Sequence, residues 1–168
     1  DLDRLVNDLL KYVRSGESGV EKKPVAMAEL LVDIDRTIIN PDKSITVNLE
    51  GEAVVQCDRV LLNSAIRNLV GNASRFASKE IQVSSVLEGD ILFLHIDDDG
   101  PGVPEVDRES IFEPFSRLDN SEGGHKDGVG LGLAIVQRAV QNCGGAVMVS
   151  ESPLGGARFT IRLPLWGE

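Results

Sequence analysis

The chain has 168 residues, with 42% hydrophobic and 26% charged side chains, and carries a formal net charge of −10. This length fits one domain with a sizeable core, and the apolar content excludes a mainly disordered chain. The acidic balance argues against a general nucleic-acid binder but leaves room for a phosphate ligand held by local positive charge. No apolar run approaches the roughly 18 residues of a membrane helix, and the charged start Asp1–Arg4 is unlike a signal peptide.

The two cysteines, Cys57 and Cys143, lie far apart and form no CxxC pair. This spacing excludes a structural zinc site and argues against a disulfide framework. We therefore expect both side chains to be small buried hydrophobic groups, as in a protein of a reducing compartment.

The first third of the chain predicts two helices and two short strands. Residues 1–14 place their apolar side chains on one helical stripe, either as the end of a longer helix that packs on partner helices or as a simple amphipathic helix. Residues 15–24 hold Gly, Ser and Pro and are predicted to be a linker. A helix is expected over 26–40, followed by strands over 44–49 and 53–57 that can pair with each other.

The rest of the chain predicts one long helix, a hairpin, a second helix and two closing strands. Asp58 is a plausible N-cap for the long helix, which runs to Phe76. The other elements are strands 80–87 and 90–97 around Glu88-Gly89, a Gly-rich stretch 100–128, a helix 131–143 ended by Gly144-Gly145, and strands 146–150 and 157–163. This mixture predicts an α+β fold, a two-layer sandwich with helices on one face of a mostly antiparallel sheet.

A polar row runs along the long helix. On a helical wheel, Asn68, Asn72 and Arg75 fall within about 80° of Ser64, at the edge of the apolar arc. A helix edge of this kind can border a cleft, where two amide oxygens suit Mg²⁺ together with phosphate oxygens and Arg75 can reach a phosphate. The alternative is a row of partly exposed surface side chains.

The apolar face of the second hairpin strand is extended by Asp98, directly before Gly100-Pro101-Gly102. A carboxylate at the end of a core face needs a partner, and the two glycines let a ligand approach the backbone closely. Such an acceptor can take a hydrogen bond from an exocyclic amine, as on adenine. For the neighbours Asp97 and Asp99 we expect turn positions instead.

Alternating glycines at Gly128, Gly130 and Gly132 precede the second helix. The pattern is neither the GxGxxG of a dinucleotide fold nor a P-loop, but exposed N–H groups at a helix start can hold phosphate. The polar stretch 113–128 is either a lid or an ordinary surface loop. Its cations Arg117 and Lys126 are candidate phosphate contacts, with solvated surface as the alternative for each.

Four motifs follow one another: the Asn-rich helix, the Asp-containing Gly turn, the segment Phe112-Glu-Pro-Phe115 and the helix with alternating glycines. Together they resemble the catalytic ATP-binding domain of bacterial sensor histidine kinases, in the Bergerat-fold family shared with gyrase, Hsp90 and MutL. The resemblance covers residues 20–166 and includes the final turn Gly155–Phe159. It implies a mixed sheet on about three helices, with ATP between the helices and a flexible lid.

The resemblance also implies a role for each motif. Asn72 would hold Mg²⁺, Asn68 would assist it at the phosphates, Arg75 would contact the terminal phosphates, and Asp98 would bind the adenine amine. The implied nucleotide-site residues are Asn68, Asn72, Arg75, Phe76, Asp98, Gly100, Gly102, Val103, Phe115, Arg117, Lys126, Gly128, Val129, Gly130, Leu131, Gly132 and Leu133.

One position separates subfamilies. The ATPases of this superfamily carry a Glu four residues before the Mg²⁺ Asn, as general base for water, and this chain has Asn68 there. An amide cannot accept that proton, so the resemblance implies a protein-histidine kinase in which Asn68 and Arg75 serve transfer to a histidine. The alternatives are an ATPase like gyrase or Hsp90, an anti-sigma-factor serine kinase, and a non-enzymatic nucleotide-binding module.

The acceptor histidine is not expected within this chain, whose histidines are His95 and His125. We expect His95 in the core and His125 exposed in the lid, and neither precedes the acidic and proline residues of the family's acceptor motif. The implied organisation is the end of a dimerisation helix over 1–15, a linker over 16–24, and an ATP-binding domain over 25–168 with its lid at about 113–128.

The partners implied by the resemblance are the parent's own dimerisation and phosphoacceptor domain and the receiver domain of a response regulator. The parent is expected to be a homodimer in the bacterial inner membrane, with this chain as a cytoplasmic fragment that does not itself span the membrane. No nucleic-acid partner is expected, and the oligomeric state of the fragment is left open.

Overall fold

A computed structural model describes residues 6–7, 9–10, 13, 22–34, 42–116 and 131–167. The described residues of the N-terminal segment are helical and exposed. The remaining elements are β1 Lys23–Ala26, α1 Met27–Leu30, β2 Ser44–Asn48, β3 Val54–Cys57, α2 Arg59–Phe76, β4 Glu80–Glu88, β5 Ile91–Asp98, α3 Gly132–Asn142, β6 Ala146–Glu151 and β7 Ala157–Pro164, with short 3₁₀ helices at Glu105–Asp107 and Ser110–Phe112. No helix in this described part of the chain is long and apolar enough to cross a membrane.

The main sheet has five strands in the order β2-β4-β5-β7-β6. The edge strand β2 runs parallel to β4, and every other neighbouring pair is antiparallel. A separate pair, β1 and β3, forms a small antiparallel sheet. The predicted α+β sandwich with a mixed, mostly antiparallel sheet is therefore confirmed.

The core lies between one face of the main sheet and the helices α2 and α3. Alternate residues of β5 supply its centre, because period two turns Leu92, Leu94 and Ile96 to the same side. The facing helix residues include Leu62, Ala65, Ile66, Leu69, Ala73, Val136, Ala139 and Val140, all at most 2% exposed. A buried stripe of this width explains why the two helices pack side by side on the sheet.

The predicted ends of the two long helices, α2 and α3, agree with the structure to within one residue. Asp58 caps α2 as expected, since its carboxylate accepts a hydrogen bond from the Leu61 N–H at 3.0 Å. At the other end of α2, the Lys43 ammonium donates to the Ser74 carbonyl. Helix α3 ends at Asn142 with Cys143 as its C-cap, and the next residue, Gly144, takes a left-handed conformation with φ of 79°.

The prediction for the segment before β2 was wrong in three respects. Lys23 and Pro24, assigned to the linker, belong to β1, and the predicted helix 26–40 begins one residue later and gives way to turns after Leu30. Residues 35–41 lie outside the described residues. The expected partner of β3 was β2, but Val55 pairs with Val25 of β1, because both side chains are buried and complete each other's apolar face.

The course of the chain after β2 explains why that strand does not turn back onto β3. The Glu50 N–H donates to the Ser85 hydroxyl at 3.0 Å, and the Glu50 carboxylate accepts from the Leu87 N–H at 2.7 Å. Both contacts hold residue 50 beside β4. The chain therefore continues along β4 after β2 and does not fold back on β2 in a hairpin. As a result β2 pairs with β4, in parallel, and β3 pairs with β1.

The cysteine prediction was half right. Cys57 and Cys143 are buried, at 0% and 1% exposure, but their sulfur atoms form a disulfide across 86 residues of sequence. Nothing in the spacing of two distant cysteines indicates that the fold joins them. In the chain-entropy account, closing a loop of this length stabilises the folded state by about 4.5 kcal/mol.

Asp97 is not a turn residue, as the sequence suggested, but part of β5 on the sheet face away from the helices. It is fully buried and receives two hydrogen bonds from Arg158 of β7, at 2.8 and 3.1 Å. His95 lies on the same outer face instead of in the expected core, half-buried, with Nδ1 2.8 Å from the Thr160 hydroxyl. Burial lowers the pKa of His95, and the nearby Arg158 lowers it further.

We predict that Arg158→Met lowers the free energy of unfolding by about 2–3 kcal/mol, because it leaves the buried Asp97 carboxylate without its ion-pair partner. Urea denaturation measures the change. The control is Arg59→Met, which removes an exposed ion pair to Glu29 and should change stability by less than about 0.5 kcal/mol. Equal losses in the two variants would contradict the assignment.

Candidate functional site

The polar row lies along the edge of α2. Ser64, Asn68 and Asn72 are half-buried and Arg75 is exposed, as the helical wheel predicts for a row beside the core stripe. The Asn68 amide nitrogen donates to the Ser64 carbonyl at 2.9 Å. This bond fixes the orientation of the amide and turns its oxygen toward the neighbouring helix.

That neighbour is the first turn of α3. A Cβ placed on Gly132 would lie 3.5 Å from the Asn68 side-chain oxygen. The polar row of α2 therefore faces the last of the alternating glycines, at the start of α3. Leu131 is 1% exposed and Leu133 packs against the core, which anchors this helix start. The backbone N–H groups at the start of α3 therefore lie beside an amide oxygen of α2, and this pairing can serve an anion or a metal–anion complex.

Asp98 ends the apolar face of β5 and is 2% exposed. Both hydrogen bonds that it accepts from the described residues go to Oδ1, from the Gly100 N–H at 2.9 Å and the Ala157 N–H at 3.2 Å. Burial raises the pKa of Asp98, and these two N–H groups offset part of that rise. The contacts leave Oδ2 available to a ligand.

Glycines allow three backbone segments to meet around this carboxylate. A Cβ on Gly100 would lie 2.2 Å from the Phe76 carbonyl, and one on Gly156 would lie 2.2 Å from Oδ1 of Asp98. Gly102 has φ of 76°, and a Cβ placed on it would lie 3.4 Å from the Gly156 carbonyl oxygen. A side chain does not fit at Gly100 or Gly156, and the positive φ of Gly102 favours glycine, so the Gly turn, the end of α2 and the start of β7 enclose Asp98.

Asp99 is a turn residue, as predicted, and it connects the Gly turn to the segment after α2. Its carboxylate accepts hydrogen bonds from the N–H groups of Ser78 at 2.7 Å and Lys79 at 3.1 Å. Partial burial raises the pKa of Asp99, but the backbone donors, Lys79 first, outweigh it and lower the pKa overall. The contact fixes the position of Phe76 relative to Asp98.

The structure brings Asn68 against Gly132, and it brings Asp98 and the Phe76 carbonyl against Gly100. Phe76 is half-buried at the end of α2, and Val103 packs against the core after the Gly turn. Phe115 is 59% exposed with φ of 63°, at the last described turn before residue 117. Arg117, Lys126, Gly128, Val129 and Gly130 lie outside the described residues.

Two residues that the sequence analysis did not place in the site are Gly156 and Ala157. They hold Asp98 from the β7 side, through the close contact at Gly156 and the Ala157 N–H. The sequence feature that could have indicated them is the Gly155-Gly156 pair directly before a strand, but the sequence analysis assigned this pair only to a turn. Phe112 is 4% exposed and stacks edge-on against Phe159, with ring centroids 6.1 Å apart, and so supports the same turn.

Residues 57–167 match the family of histidine kinase-, DNA gyrase B- and HSP90-like ATPases. The chain is 38% identical to the sensor histidine kinase CpxA of Escherichia coli and 36% identical to the sensor protein RstB of the same species, each over 98% of this chain. It spans only 37% of CpxA and 39% of RstB.

Solved structures of histidine kinases are also similar to this chain. The ATP-binding domain of PrrB from Mycobacterium tuberculosis matches with a TM-score of 0.72 and 31% identity, over 88% of this chain and 99% of that one. Full-length ShkA in complex with AMPPNP matches with a TM-score of 0.78 and 29% identity, over 98% of this chain and 36% of that one. The chain belongs to the histidine kinase-, gyrase B- and HSP90-like ATPase family, as an ATP-binding catalytic domain of the sensor histidine kinase type.

We predict that Gly156→Ala lowers the free energy of unfolding by at least about 2 kcal/mol, because the added methyl overlaps the Asp98 carboxylate and adjacent backbone. Thermal or urea unfolding tests this. The matched substitution Gly71→Ala, in the middle of α2, where the new methyl meets nothing within 4 Å beyond its own stretch of helix, should raise stability by about 0.5–1 kcal/mol. A harmless Gly156→Ala would show that the backbone around Asp98 is looser than described.

Proposed function

We propose that this chain holds ATP between α2, the Gly turn and α3 and presents its γ-phosphate to a histidine of a separate dimerisation domain. The observation that carries the proposal is the Asp98 carboxylate, fixed through Oδ1 by two backbone N–H groups. The family to which the chain belongs supports ATP as the ligand.

At the base end, Asp98 would accept a hydrogen bond from the exocyclic amine of adenine through Oδ2. An ionised carboxylate is an acceptor only, so it discriminates in favour of an amine and against a carbonyl at that position. Gly100 and Gly102 let the base approach the backbone, the Phe76 carbonyl lies beside Gly100, and Val103 directly follows the turn.

At the phosphate end, Asn68 and Asn72 would hold Mg²⁺ together with phosphate oxygens. The donor set fits this ion, because the Asn68 amide is oriented with its oxygen toward α3 and neutral amide oxygens are suitable Mg²⁺ ligands. Among the described residues, no group of three His, Cys, Asp or Glu side chains can hold a metal, so the ion would bind with the nucleotide. When bound, Mg²⁺ would neutralise charge on the phosphates.

The other phosphate contacts would come from Arg75, in the last turn of α2, and from N–H groups at the start of α3. Arg117, Lys126, Gly128, Val129 and Gly130 would complete this side, with Leu131, Gly132 and Leu133 as the first residues of the phosphate-facing helix. These groups position and stabilise the terminal phosphate and carry out no proton transfer.

Asn68 favours transfer to histidine over hydrolysis. Its amide cannot take a proton from water, and it already donates to the Ser64 carbonyl. In the proposed reaction an imidazole nitrogen forms a bond to the γ-phosphorus, the bond to the bridging oxygen breaks, and ADP leaves. The histidine would belong to the parent's dimerisation domain, the next acceptor would be an aspartate of a response regulator, and the parent would be a homodimer anchored in the inner membrane.

We predict that Asp98→Asn exchanges the base preference of the site. The Asn oxygen keeps the Gly100 and Ala157 N–H bonds, so its NH₂ group takes the place of Oδ2 and faces the adenine amine donor to donor. ATP affinity should fall by at least about 100-fold. ITP, which has a carbonyl at that position, should bind the variant better than ATP does, as measured by calorimetric titration.

Stability is the control for this variant. The pKa of Asp98 is raised in the folded protein, so its protonated form favours folding, and this contribution is lost as pH rises through the folded-state pKa. At pH 7 Asp98→Asn should therefore be at least as stable as wild type. Unchanged ATP affinity in a folded variant would place the base elsewhere.

We predict that the chain, mixed with a separately purified sensor-kinase dimerisation domain and γ-labelled ATP, labels that domain and releases no steady phosphate to water. Asn72→Ala should reduce labelling at least about 100-fold, because it removes a ligand of the proposed phosphate-bound ion. The control is Asn63→Ala, on the same helix, where the side chain contacts Arg67 instead. Steady phosphate release without labelling would indicate the hydrolase alternative.

A further inference from the structure

The disulfide joins the ends of the two helices that form the proposed nucleotide site. Cys57 is the last residue of β3, directly before the N-cap of α2, and Cys143 is the C-cap residue of α3. The helices pack against each other. The bond therefore ties the start of one to the end of the other.

The opposite end of the same helix pair faces the nucleotide. Asn68 lies about 14 Å along α2 from Arg59, and Gly132 lies about 15 Å along α3 from Asn142, at 1.5 Å per residue. Asn68 and Gly132 are in contact distance, so the helices run antiparallel, with the disulfide at one end and the phosphate side at the other. The loop closed by the bond contains every proposed nucleotide contact on α2, the Gly turn and the start of α3, whereas Gly156 and Ala157, which hold Asp98 from β7, lie outside it.

Both sulfur atoms are buried, and their surroundings are tightly packed. Cys57 and Cys143 are 0% and 1% exposed, and a Cβ on nearby Gly145 would lie 2.0 Å from the Arg162 carbonyl. Two thiols cannot remain as close as two bonded sulfur atoms, so reduction requires the helix ends to separate within a packed core. That displacement acts on the frame that positions Asn68 against Gly132.

We propose that the Cys57–Cys143 disulfide is a redox switch on nucleotide affinity, in which the oxidised chain binds ATP more tightly than the reduced chain. This inference rests on the proposed function. Disulfides in the thiol-rich compartments where ATP-dependent kinases work are usually redox-responsive. The bond joins the two helices of the site directly, and no intermediate element is needed to transmit its state.

The redox step is an exchange with a dithiol reductant. One dithiol thiolate attacks a protein sulfur, the protein disulfide breaks, and the second dithiol thiol closes a new disulfide on the reductant. Two electrons and two protons pass to the protein, which then holds two thiols. Because both sulfur atoms are buried, attack requires opening of the helix ends, and bound nucleotide should oppose that opening.

The coupling must be reciprocal. If oxidation tightens ATP binding by a given factor, saturating ATP must favour the oxidised form by the same factor. We expect at least about fivefold weaker ATP binding in the reduced chain, the lower end of usual allosteric couplings. The same factor corresponds to a shift of about 20 mV in the midpoint potential of the disulfide.

The test is calorimetric titration of the oxidised and dithiothreitol-reduced chain with Mg-ATP, and a redox titration in dithiothreitol buffers with and without saturating Mg-ATP. The dithiol acts at one place, because the chain has two cysteines and both form this bond. Fluorescence of Trp166, whose backbone N–H donates to the Val54 carbonyl in β3, reports whether the reduced chain stays folded.

A second variant removes the redox step. Cys57→Ala with Cys143→Ala should bind ATP with the affinity of the reduced wild type and should not respond to dithiothreitol. A folded reduced chain with at least fivefold weaker affinity and a matching potential shift supports the switch.

Equal affinities in the two redox states, tighter binding in the reduced state, or unfolding on reduction would each overturn the switch while leaving ATP binding intact in the oxidised chain. Failure of the oxidised chain to bind ATP would instead overturn the proposed function itself.

Discussion

The Asp98 carboxylate is the contact on which the site depends. One oxygen joins the end of β5 to the Gly turn through Gly100 and to β7 through Ala157. This requires three backbone segments to lie closer than side chains permit, and glycines at 100 and 156 meet that requirement. The cost of a buried carboxylate is visible in its raised pKa. A buried acid is more costly than an apolar residue at this position, which supports the proposed ligand contact of the second oxygen.

Two helices connect this constraint to the proposed phosphate end of the site. The polar row of α2 lies beside the buried stripe along the whole helix, because Arg59–Phe76 form one uninterrupted α-helix and residues three or four apart stay on the same side. Helix α3 begins at Gly132, against Asn68, and its C-cap residue Cys143 is bonded to Cys57, which directly precedes the N-cap of α2. The proposed base contact at Asp98 is positioned by strand ends, whereas the proposed phosphate contacts at Asn68 and Gly132 are positioned by how two helices pack. Any change in helix packing therefore acts on the phosphate end first.

Local patterns in the sequence predicted most of this arrangement. The N-cap at Asp58, the hairpin about Gly89 and the period-two line ending in Asp98 are properties of neighbouring residues, and the structure confirms them. The errors concern contacts between distant segments. The pairing of β3 with β1 depends on Glu50 holding the chain along β4, and the disulfide depends on two helix ends meeting across 86 residues. Neither leaves a periodic signal in the sequence.

Asp97, Asp98 and Asp99 show how an acidic chain can hold an anionic nucleotide. Strand alternation turns Asp97 outward to Arg158 and Asp98 inward, and Asp99 binds the backbone beyond α2. Each carboxylate thus has its own donor and none lies on the polar row of α2. That row offers neutral amides and Arg75, and the facing helix start offers N–H groups. The net charge of −10 is therefore compatible with ATP, because the phosphates would meet only neutral or positive groups among the described residues of the site.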